Sequence, residues 1–238
     1  MHIDVILHPA EIATVLPARD LSGTTCVVFD VLRATSSMIT GLAHGATEIY
    51  PVRTIEEALG LKVRMPTAVL GGERHGDLIP GFEVGNSPSE YRERVRGRQI
   101  ITTTTNGTIA LRACEGAARV LVGAVLNIGA VANVLRAAWP EHLLIVCAGT
   151  FSDFALEDAC AAGLLIGDLG AESLSDAAHA ALAITRLYSE PLAAVRASRN
   201  GRVLAGTGRM ADVEWCAQLS HYQIVGEMQA AVIRPLTP

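Results

Sequence analysis

The sequence DVLRATSS, which begins at Asp30, combines side chains that could bind both a cation and an anion. It follows an apolar run that is typical of a buried strand, and it leads into a predicted helix. A carboxylate can hold a cation, whereas Arg33, the hydroxyls of Thr35 and Ser36 and the free N–H groups at a helix start can hold an anion. On this stretch alone an alternative stays open, in which Asp30 and Thr35 only cap the helix.

A second candidate segment is GGERHGDLIPGFEVGNSPSEY, residues 71–91, which shows neither helical nor strand periodicity. A loop of this length in a compact domain is uncommon and is more often functional. It contains Glu73, Arg74, Asn86 and Ser87 as candidate site residues, while its histidine is interpreted as a solvated side chain. An ordered surface loop without chemistry remains the alternative.

Two further segments place polar groups after apolar runs. TTTTNGT ends a predicted strand and brings Thr105, Asn106, Gly107 and Thr108 to a helix start, although an ordinary Asn-Gly turn would have the same sequence. GTFSDFALEDA follows another apolar strand and places two acids, Glu157 and Asp158, in the first turn of a helix. There they could simply complement the helix dipole.

The elements that would position these groups alternate between strand and helix, which predicts βαβ units and a three-layer α/β architecture. The predicted strands are Ile3–Leu7, Cys26–Val31, Thr47–Val52, Thr67–Leu70, Gln99–Thr102, Arg119–Val122 and His142–Ala148, followed by a helical region and a closing strand pair that turns at Gly226-Glu227. Ligands of open α/β sheets bind at the carboxyl ends of strands, so the polar segments are expected to share one cleft. Its acids suit Mg²⁺, and its arginines suit phosphate or sulfonate oxygens.

Composition narrows the class of protein. The 238 residues suit one sizeable domain, or two small ones that share a sheet; half of them are hydrophobic and 18% are charged, so a large core is available. A net charge of −5 argues against nucleic acid as the main partner. Most of the five scattered cysteines lie in apolar runs and are predicted to be small core residues. Neither a signal peptide nor a membrane-spanning run is recognisable, which predicts a soluble cytoplasmic protein without a membrane partner.

Four segments together resemble one known family: DVLRATSS, GGERHG…GFEVGNSPSEY, TTTNGT and AGTFSDFALEDACAAG occur in the same order and at roughly the same spacing as in 2-phosphosulfolactate phosphatases. The resemblance covers essentially the whole chain. It implies a single α/β domain over residues 1–238, with three α/β/α layers and a mixed, largely parallel sheet. It also implies a Mg²⁺-dependent phosphatase of coenzyme M biosynthesis, which hydrolyses 2-phospho-3-sulfolactate to 3-sulfolactate and phosphate. His75 and Phe82-Glu83 depart mildly from the family pattern.

The expected roles follow from that resemblance. Mg²⁺ is expected at Asp30 and Glu73, helped by Glu157 or Asp158. Arg33, Thr35 and Ser36 are expected to hold the phosphate, and Arg74, Asn106 and Thr108 the sulfonate and carboxylate. The predicted catalytic residues are Asp30, Arg33, Glu73 and Arg74; the predicted substrate-binding residues are Thr35, Ser36, Asn86, Ser87, Thr105, Asn106, Gly107 and Thr108. The expected partner is a small anionic phosphate ester, and a homodimer is an open expectation.

Three other functions agree less well with the sequence. A non-catalytic module that binds a small phosphorylated or sulfonated anion would use the same amides and arginines, but carboxylates in its pocket would repel the ligand unless a metal intervened. A dinucleotide-dependent dehydrogenase would need G-x-G-x-x-G after a strand, and no such motif occurs. A phosphatase of the haloacid dehalogenase type would need a second acid where Leu32 stands.

Overall fold

The computed structural model describes residues 1–236. The strands are β1 His2–Ile6, β2 Thr24–Phe29, β3 Glu48–Pro51, β4 Val69–Arg74, β5 Asp77–Leu78, β6 Gln99–Thr103, β7 Arg119–Gly123, β8 His142–Cys147, β9 Ser173–Leu174, β10 Gly226–Gln229 and β11 Val232–Pro235. The α-helices are α1 Pro9–Thr14, α2 Ala34–Ala43, α3 Ile55–Arg64, α4 Glu90–Glu93, α5 Gly107–Ala113, α6 Ile128–Ala138, α7 Leu156–Leu169, α8 Asp176–Leu187, α9 Pro191–Ala197, α10 Arg199–Gly206 and α11 Met210–Cys216.

All strands join one sheet, in the order β5-β4-β6-β3-β11-β10-β7-β2-β8-β1-β9. It contains two parallel groups: β4, β6 and β3 on one side, and β7, β2, β8, β1 and β9 on the other. Three antiparallel pairings separate them, through the β10–β11 hairpin. Because that number is odd, the two groups run in opposite directions.

Strand twist reorients the two groups. Adjacent strands rotate by roughly 20–25°, so the five steps from β2 to β6 accumulate a rotation of roughly 100° or more. The carboxyl ends of the two groups therefore need not lie at opposite edges of the molecule. Side-chain contacts show that they meet: Asn106, after β6, donates to the carbonyls of Ala148 and Phe151, after β8, both at 2.9 Å.

Helices cover both faces of the sheet because side chains along each strand alternate in direction. On β2, Val27 and Phe29 pack into the core beneath α6 to α9, whereas Cys26 and Val28 pack into the core beneath α1, α2 and α5. A smaller apolar cluster lies beneath α3. These layers confirm the predicted three-layer fold with a mixed, largely parallel sheet.

Differences from the predicted elements are local. Residues 71–91 are less irregular than expected, because β4 extends to Arg74 and forms a short hairpin with β5. The predicted turn at Gly226-Glu227 is wrong: Gly226 begins β10, and the chain reverses at Ala230 and Ala231, which both have positive φ. Helix α1 follows the first strand where no helix was predicted. Within residues 1–236, no helix is both long and apolar enough to cross a membrane.

Candidate active site

Loops from both halves of the sheet enclose a cavity of about 230 Å³. Of the predicted site residues, six line it: Asp30, Arg33, Glu73, Asn86, Thr105 and Asn106. Asp30 and Arg33 come from the loop after β2, and Thr105 and Asn106 follow β6. Glu73 lies near the end of β4, and Asn86 lies between β5 and α4. The structure therefore brings together the core of the predicted site from opposite halves of the sheet.

Asp30 is buried where β2 runs into α2, and backbone amides hold its carboxylate. The N–H of Ala34 donates to Oδ1 at 3.2 Å. Burial raises the pKa of Asp30 to about 7, and repulsion from the carboxylates of Glu73 and Glu157 adds to the effect, although the amide bonds oppose it. A carboxylate in this environment can exchange a proton near neutral pH.

Glu73, at the end of β4, is equally buried but has more hydrogen-bond donors around it. The backbone N–H groups of Thr105 and Gly76 each donate to its carboxylate at 2.7 Å, and the Thr105 hydroxyl donates at 3.3 Å. These three hydrogen bonds fix the orientation of the Glu73 carboxylate in the cavity wall.

Arg33 is the buried cation of the site, and two groups fix its guanidinium. One nitrogen donates to Asp212 Oδ2 at 2.6 Å, and the other donates to the Gly76 carbonyl at 3.1 Å. Asp212 also accepts from the Ser87 hydroxyl at 2.6 Å. A guanidinium carries more N–H donors than these two bonds use, so Arg33 retains donors for an anion in the cavity.

The start of α5 fits closely against Asp30. A Cβ atom on Gly107 would lie 2.5 Å from Asp30 Oδ2 and 2.6 Å from Ala34 Cβ, so the close approach requires glycine. Asn106, which precedes it, holds the loop after β8: besides its two donated bonds, its Oδ1 accepts from the Phe151 N–H at 2.9 Å. Asn106 therefore positions the loop that closes one side of the cavity.

Glu157 and Asp158, predicted as metal ligands, lie behind the cavity and do not line it. Asp158 accepts from the N–H of Val31 at 2.8 Å and from the N–H of Gly149 at 3.0 Å. It thereby joins the loops after β2 and β8. Burial raises the pKa of both acids, and their mutual repulsion raises that of Asp158 further.

Several side chains that were predicted to bind the substrate instead form hydrogen bonds within the protein. Thr35 and Ser36 are fully buried, and their hydroxyls donate to the carbonyls of Asp30 and Val31. Thr108 is also fully buried, and it exchanges hydrogen bonds with Thr104. These three hydroxyls stabilise the loops and do not line the cavity.

Arg74, predicted as catalytic, also lies outside the cavity wall. Its guanidinium donates to the Glu73 carbonyl at 2.7 Å and to the Thr103 hydroxyl at 2.9 Å. Ser87 faces a neighbouring cavity of about 340 Å³ that Arg33 and Asn86 also line. Arg74 and Ser87 therefore lie beside the cavity and not in its wall.

The acidic side chains of the cavity decide whether the expected Mg²⁺ fits. No three His, Cys, Asp or Glu side chains in residues 1–236 are grouped to hold a metal ion. Mg²⁺, however, often takes only one or two protein carboxylates, with water and substrate phosphate as its other ligands. Asp30 and Glu73 supply such a pair in the cavity, and a cation would relieve the repulsion that raises the pKa of Asp30. The residues fit Mg²⁺ in this two-carboxylate form.

No pattern in the sequence predicted the residues on the other side of the cavity. Arg199, Asn200 and Arg209 line it from the helical region near the C-terminus. Asp212 completes the ion pair with Arg33 across 179 residues of sequence. None of the four belongs to a recognisable motif. The His75 side chain is exposed, as interpreted from the sequence, and its ring stacks on Phe151 in the cavity wall with ring centroids 5.7 Å apart.

Comparison with known proteins agrees with these features. A family model described as 2-phosphosulpholactate phosphatase matches residues 11–231. A probable 2-phosphosulfolactate phosphatase of Carboxydothermus hydrogenoformans is 38% identical over 95% of this chain and 93% of its own. Proteins with the same description from Deinococcus radiodurans and Symbiobacterium thermophilum are 42% and 41% identical, over 84% and 88% of this chain and 85% and 93% of their own.

Proposed function

The chain belongs to the 2-phosphosulpholactate phosphatase family and is a phosphoric monoester hydrolase, and from that premise we propose that it hydrolyses 2-phospho-3-sulfolactate, or a related small anionic phosphate ester, with Mg²⁺. The products would be 3-sulfolactate and phosphate. The names of its relatives support the substrate.

One observation carries the proposed mechanism: Asp30, Glu73 and Arg33 line the same cavity although they come from strands that run in opposite directions. Two carboxylates alone would repel a phosphate ester. A buried arginine beside them, together with a cation held between them, gives a site for phosphate that is electrostatically balanced. This combination favours phosphoryl chemistry over simple anion binding.

Arg33 would bind the phosphoryl oxygens and stabilise the charge that they carry during transfer. Asp212 and the Gly76 carbonyl hold its guanidinium in place, so little side-chain freedom is lost when the substrate binds. Asp30 and Glu73 would hold Mg²⁺, which when bound polarises the phosphoryl group as a Lewis acid. Asn106 keeps the loop after β8 against the cavity.

Asp30 could act in either of two ways, and both remain open. Its carboxylate, which is buried in the cavity wall, could accept the proton of the attacking water. Alternatively, its carboxylate could bond to phosphorus while the bond from phosphorus to the ester oxygen breaks and 3-sulfolactate leaves with a proton from water. Water would then hydrolyse the aspartyl phosphate to phosphate and free Asp30. Acid quenching followed by borohydride trapping would detect the second route. In the first route, solvent ¹⁸O enters phosphate in a single turnover without any trapped intermediate.

The proposal is tested by phosphate release from a panel of monoesters that includes 2-phospho-3-sulfolactate. We expect this ester to give the highest kcat/KM, activity to disappear in EDTA, and Mg²⁺ to restore it. A matched incubation with Ca²⁺ controls for a purely structural effect of divalent ions. Full activity in EDTA would exclude Mg²⁺ from the mechanism, and release from every ester except sulfolactate phosphate would exclude the substrate.

We further propose a place in coenzyme M biosynthesis and a cytoplasmic location. The first rests on the proposed substrate alone, and five buried thiols without disulfide bonds among residues 1–236 suit a reducing compartment. A small ester as the partner, in place of nucleic acid, agrees with the net charge of −5. A homodimer stays a proposal, and light scattering on the purified chain would test it.

A further inference from the structure

The substrate proposed above carries a sulfonate and a carboxylate besides its phosphate, and these groups need cationic partners. The predicted partners were Arg74, Asn106 and Thr108. Arg74 lies outside the cavity wall and Thr108 is fully buried. Asn106 uses its amide to hold the loop after β8. The cations that would face the remote end of the substrate must therefore come from elsewhere.

Two arginines on the helical side of the cavity meet this need. Arg199 is the first residue of α10, and Arg209 directly precedes α11. Both line the cavity that contains Asp30, Glu73 and Arg33. The helical region thus adds two positive charges opposite the strand ends that hold the phosphate.

Each of the two arginines has an acidic partner: Asp77, the first residue of β5, pairs with Arg209, and Asp153, which follows β8, pairs with Arg199. Arg209 donates to Asp77 Oδ1 at 2.9 Å and to the Gly76 carbonyl at 2.9 Å. Arg199 pairs with Asp153. The side chains of Arg199 and Asp153 are 55% and 58% exposed, and those of Arg209 and Asp77 are 35% and 79% exposed. Water therefore screens both pairs.

This exposure separates the two arginines from Arg33. An exposed ion pair contributes little stability, so either guanidinium can exchange its aspartate for a ligand anion at little cost. Arg33 is paired to a buried aspartate, and breaking that pair would leave charges without partners inside the protein. Arg33 is fixed, whereas Arg199 and Arg209 are available.

We propose that Arg199 and Arg209 form the specificity subsite for the carboxylate and sulfonate of the substrate. The inference rests on the proposed function and adds the residues that distinguish a multiply charged ester from a simple one. Planar guanidinium groups suit both anions, because two parallel N–H groups can contact two oxygens at once. The subsite selects phosphate monoesters that carry further anionic groups beyond the phosphate.

The test compares Arg199→Gln, Arg209→Gln and the double variant on two substrates. One substrate is 2-phospho-3-sulfolactate, and the other is phenyl phosphate, whose leaving group has no second charge. We expect the ratio of the two kcat/KM values to fall roughly tenfold in each single variant, mainly through KM for sulfolactate phosphate. Arg196→Gln is the matched control, because Arg196 forms an exposed pair with Glu214 and does not line the cavity.

An unchanged ratio in a single variant removes that arginine from the subsite, and an unchanged ratio in the double variant overturns the proposal. Thermal melting of each variant shows that the chain is folded. Calorimetric titration with 3-sulfolactate provides a second test that needs no turnover: we expect both single variants to bind it roughly tenfold more weakly than the unmodified chain. If the unmodified chain cleaves neither ester, the proposed function fails and this titration decides the subsite. Equal affinity in the variants, or no binding by the unmodified chain, overturns it.

Discussion

Asp30 and Glu73 are two buried carboxylates in one cavity, but their surroundings differ. Glu73, at the end of β4, receives two short backbone hydrogen bonds and one from a hydroxyl. Asp30, after β2, lies in the half of the sheet that also buries Glu157 and Asp158, and burial with neighbouring charge raises its pKa to about 7. Three hydrogen bonds hold the Glu73 carboxylate in place, whereas the charge of Asp30 can change near neutral pH.

The difference shows that local donors decide the role of an acid. Backbone N–H groups are exposed at the end of a strand. The turn at Gly76 and the start of the Thr105 segment both direct such groups at Glu73. Asp30 has fewer donors and more acidic neighbours. Changing each acid to its amide, which preserves size, is the direct way to test the contrast.

Asp30→Asn is expected to have the largest effect. It should lower kcat by about a thousandfold or more, because the amide neither accepts a proton nor attacks phosphorus. The folded state should tolerate the change, since it removes a charge from a repulsive cluster. Initial rates of phosphate release and a thermal melt measure both effects. Near-normal turnover would exclude both proposed roles of Asp30.

The free energy of unfolding of Glu73→Gln tests the difference between the two acids. Its new NH₂ group would face the N–H of Thr105 or of Gly76, which leaves a buried donor unsatisfied. We expect the free energy of unfolding to fall by about 1–3 kcal/mol, and Asp30→Asn to lose less, because that change also removes a charge from a cluster of buried acids. Urea denaturation of both variants at pH 8 checks this. The two carboxylates would be equivalent if both amide variants lost the same stability.

Asp212→Ala tests the connection between the two halves of the sheet, because Asp212 holds Arg33 and Arg33 reaches the hairpin after β4. Loss of the partner leaves a buried guanidinium unpaired, which is expected to cost about 3 kcal/mol. KM for the phosphate ester should also rise as Arg33 moves. Asp168→Ala is the control, since Asp168 forms an exposed pair with Arg136; equal effects in the two variants would remove Asp212 from the site.

The pH dependence of stability should differ from that of most proteins. The folded-state pKa of Asp30, about 7, lies above its ordinary value of 3.8, so the folded protein binds more protons between these values. The resulting stability is present below about pH 4 and is lost as pH rises through 7. Without metal, the chain should therefore be less stable at pH 8 than at pH 5.

Mg²⁺ should counteract this loss. At pH 8 we expect the ion to raise Tm in the unmodified chain, since it binds the folded carboxylates only, and to raise it less in Asp30→Asn. Differential scanning fluorimetry at both pH values, with EDTA as the reference, measures the effect. Equal Tm shifts in the two proteins would place the ion somewhere other than at Asp30.

Asn106→Ala should have the smallest effect of this series. The substitution removes three hydrogen bonds to the segment 148–151, so the loop after β8 loses its attachment while the carboxylates stay in place. We expect kcat/KM to fall roughly tenfold, with little change in the pH profile. Asn133→Ala, on the exposed side of α6, is the control; if it matched the loss, the loop contact would be irrelevant.

Sequence patterns predicted much of this arrangement. Apolar runs placed the central strands, and polar residues after them placed Asp30, Glu73 and Asn106 at strand ends that share one cavity. The same patterns also placed three hydroxyl groups in the cavity, but these groups do not line it. Thr35, Ser36 and Thr108 are polar residues at helix starts, but whether such a side chain faces a ligand or its own backbone depends on χ angles and neighbours, which the sequence pattern does not contain.

The sequence by itself determined the alternation of strands and helices and the chemical types available at the strand ends, because both follow from local periodicity and turn residues. Tertiary structure decided which of those groups meet. The hairpin β10–β11, at the end of the described chain, inserts between β3 and β7 and so sets the direction of one half of the sheet against the other. Hydrogen bonds between distant segments make that choice. They also bring Arg199, Arg209 and Asp212 to the cavity, and they bury Asp30 deeply enough to change its pKa.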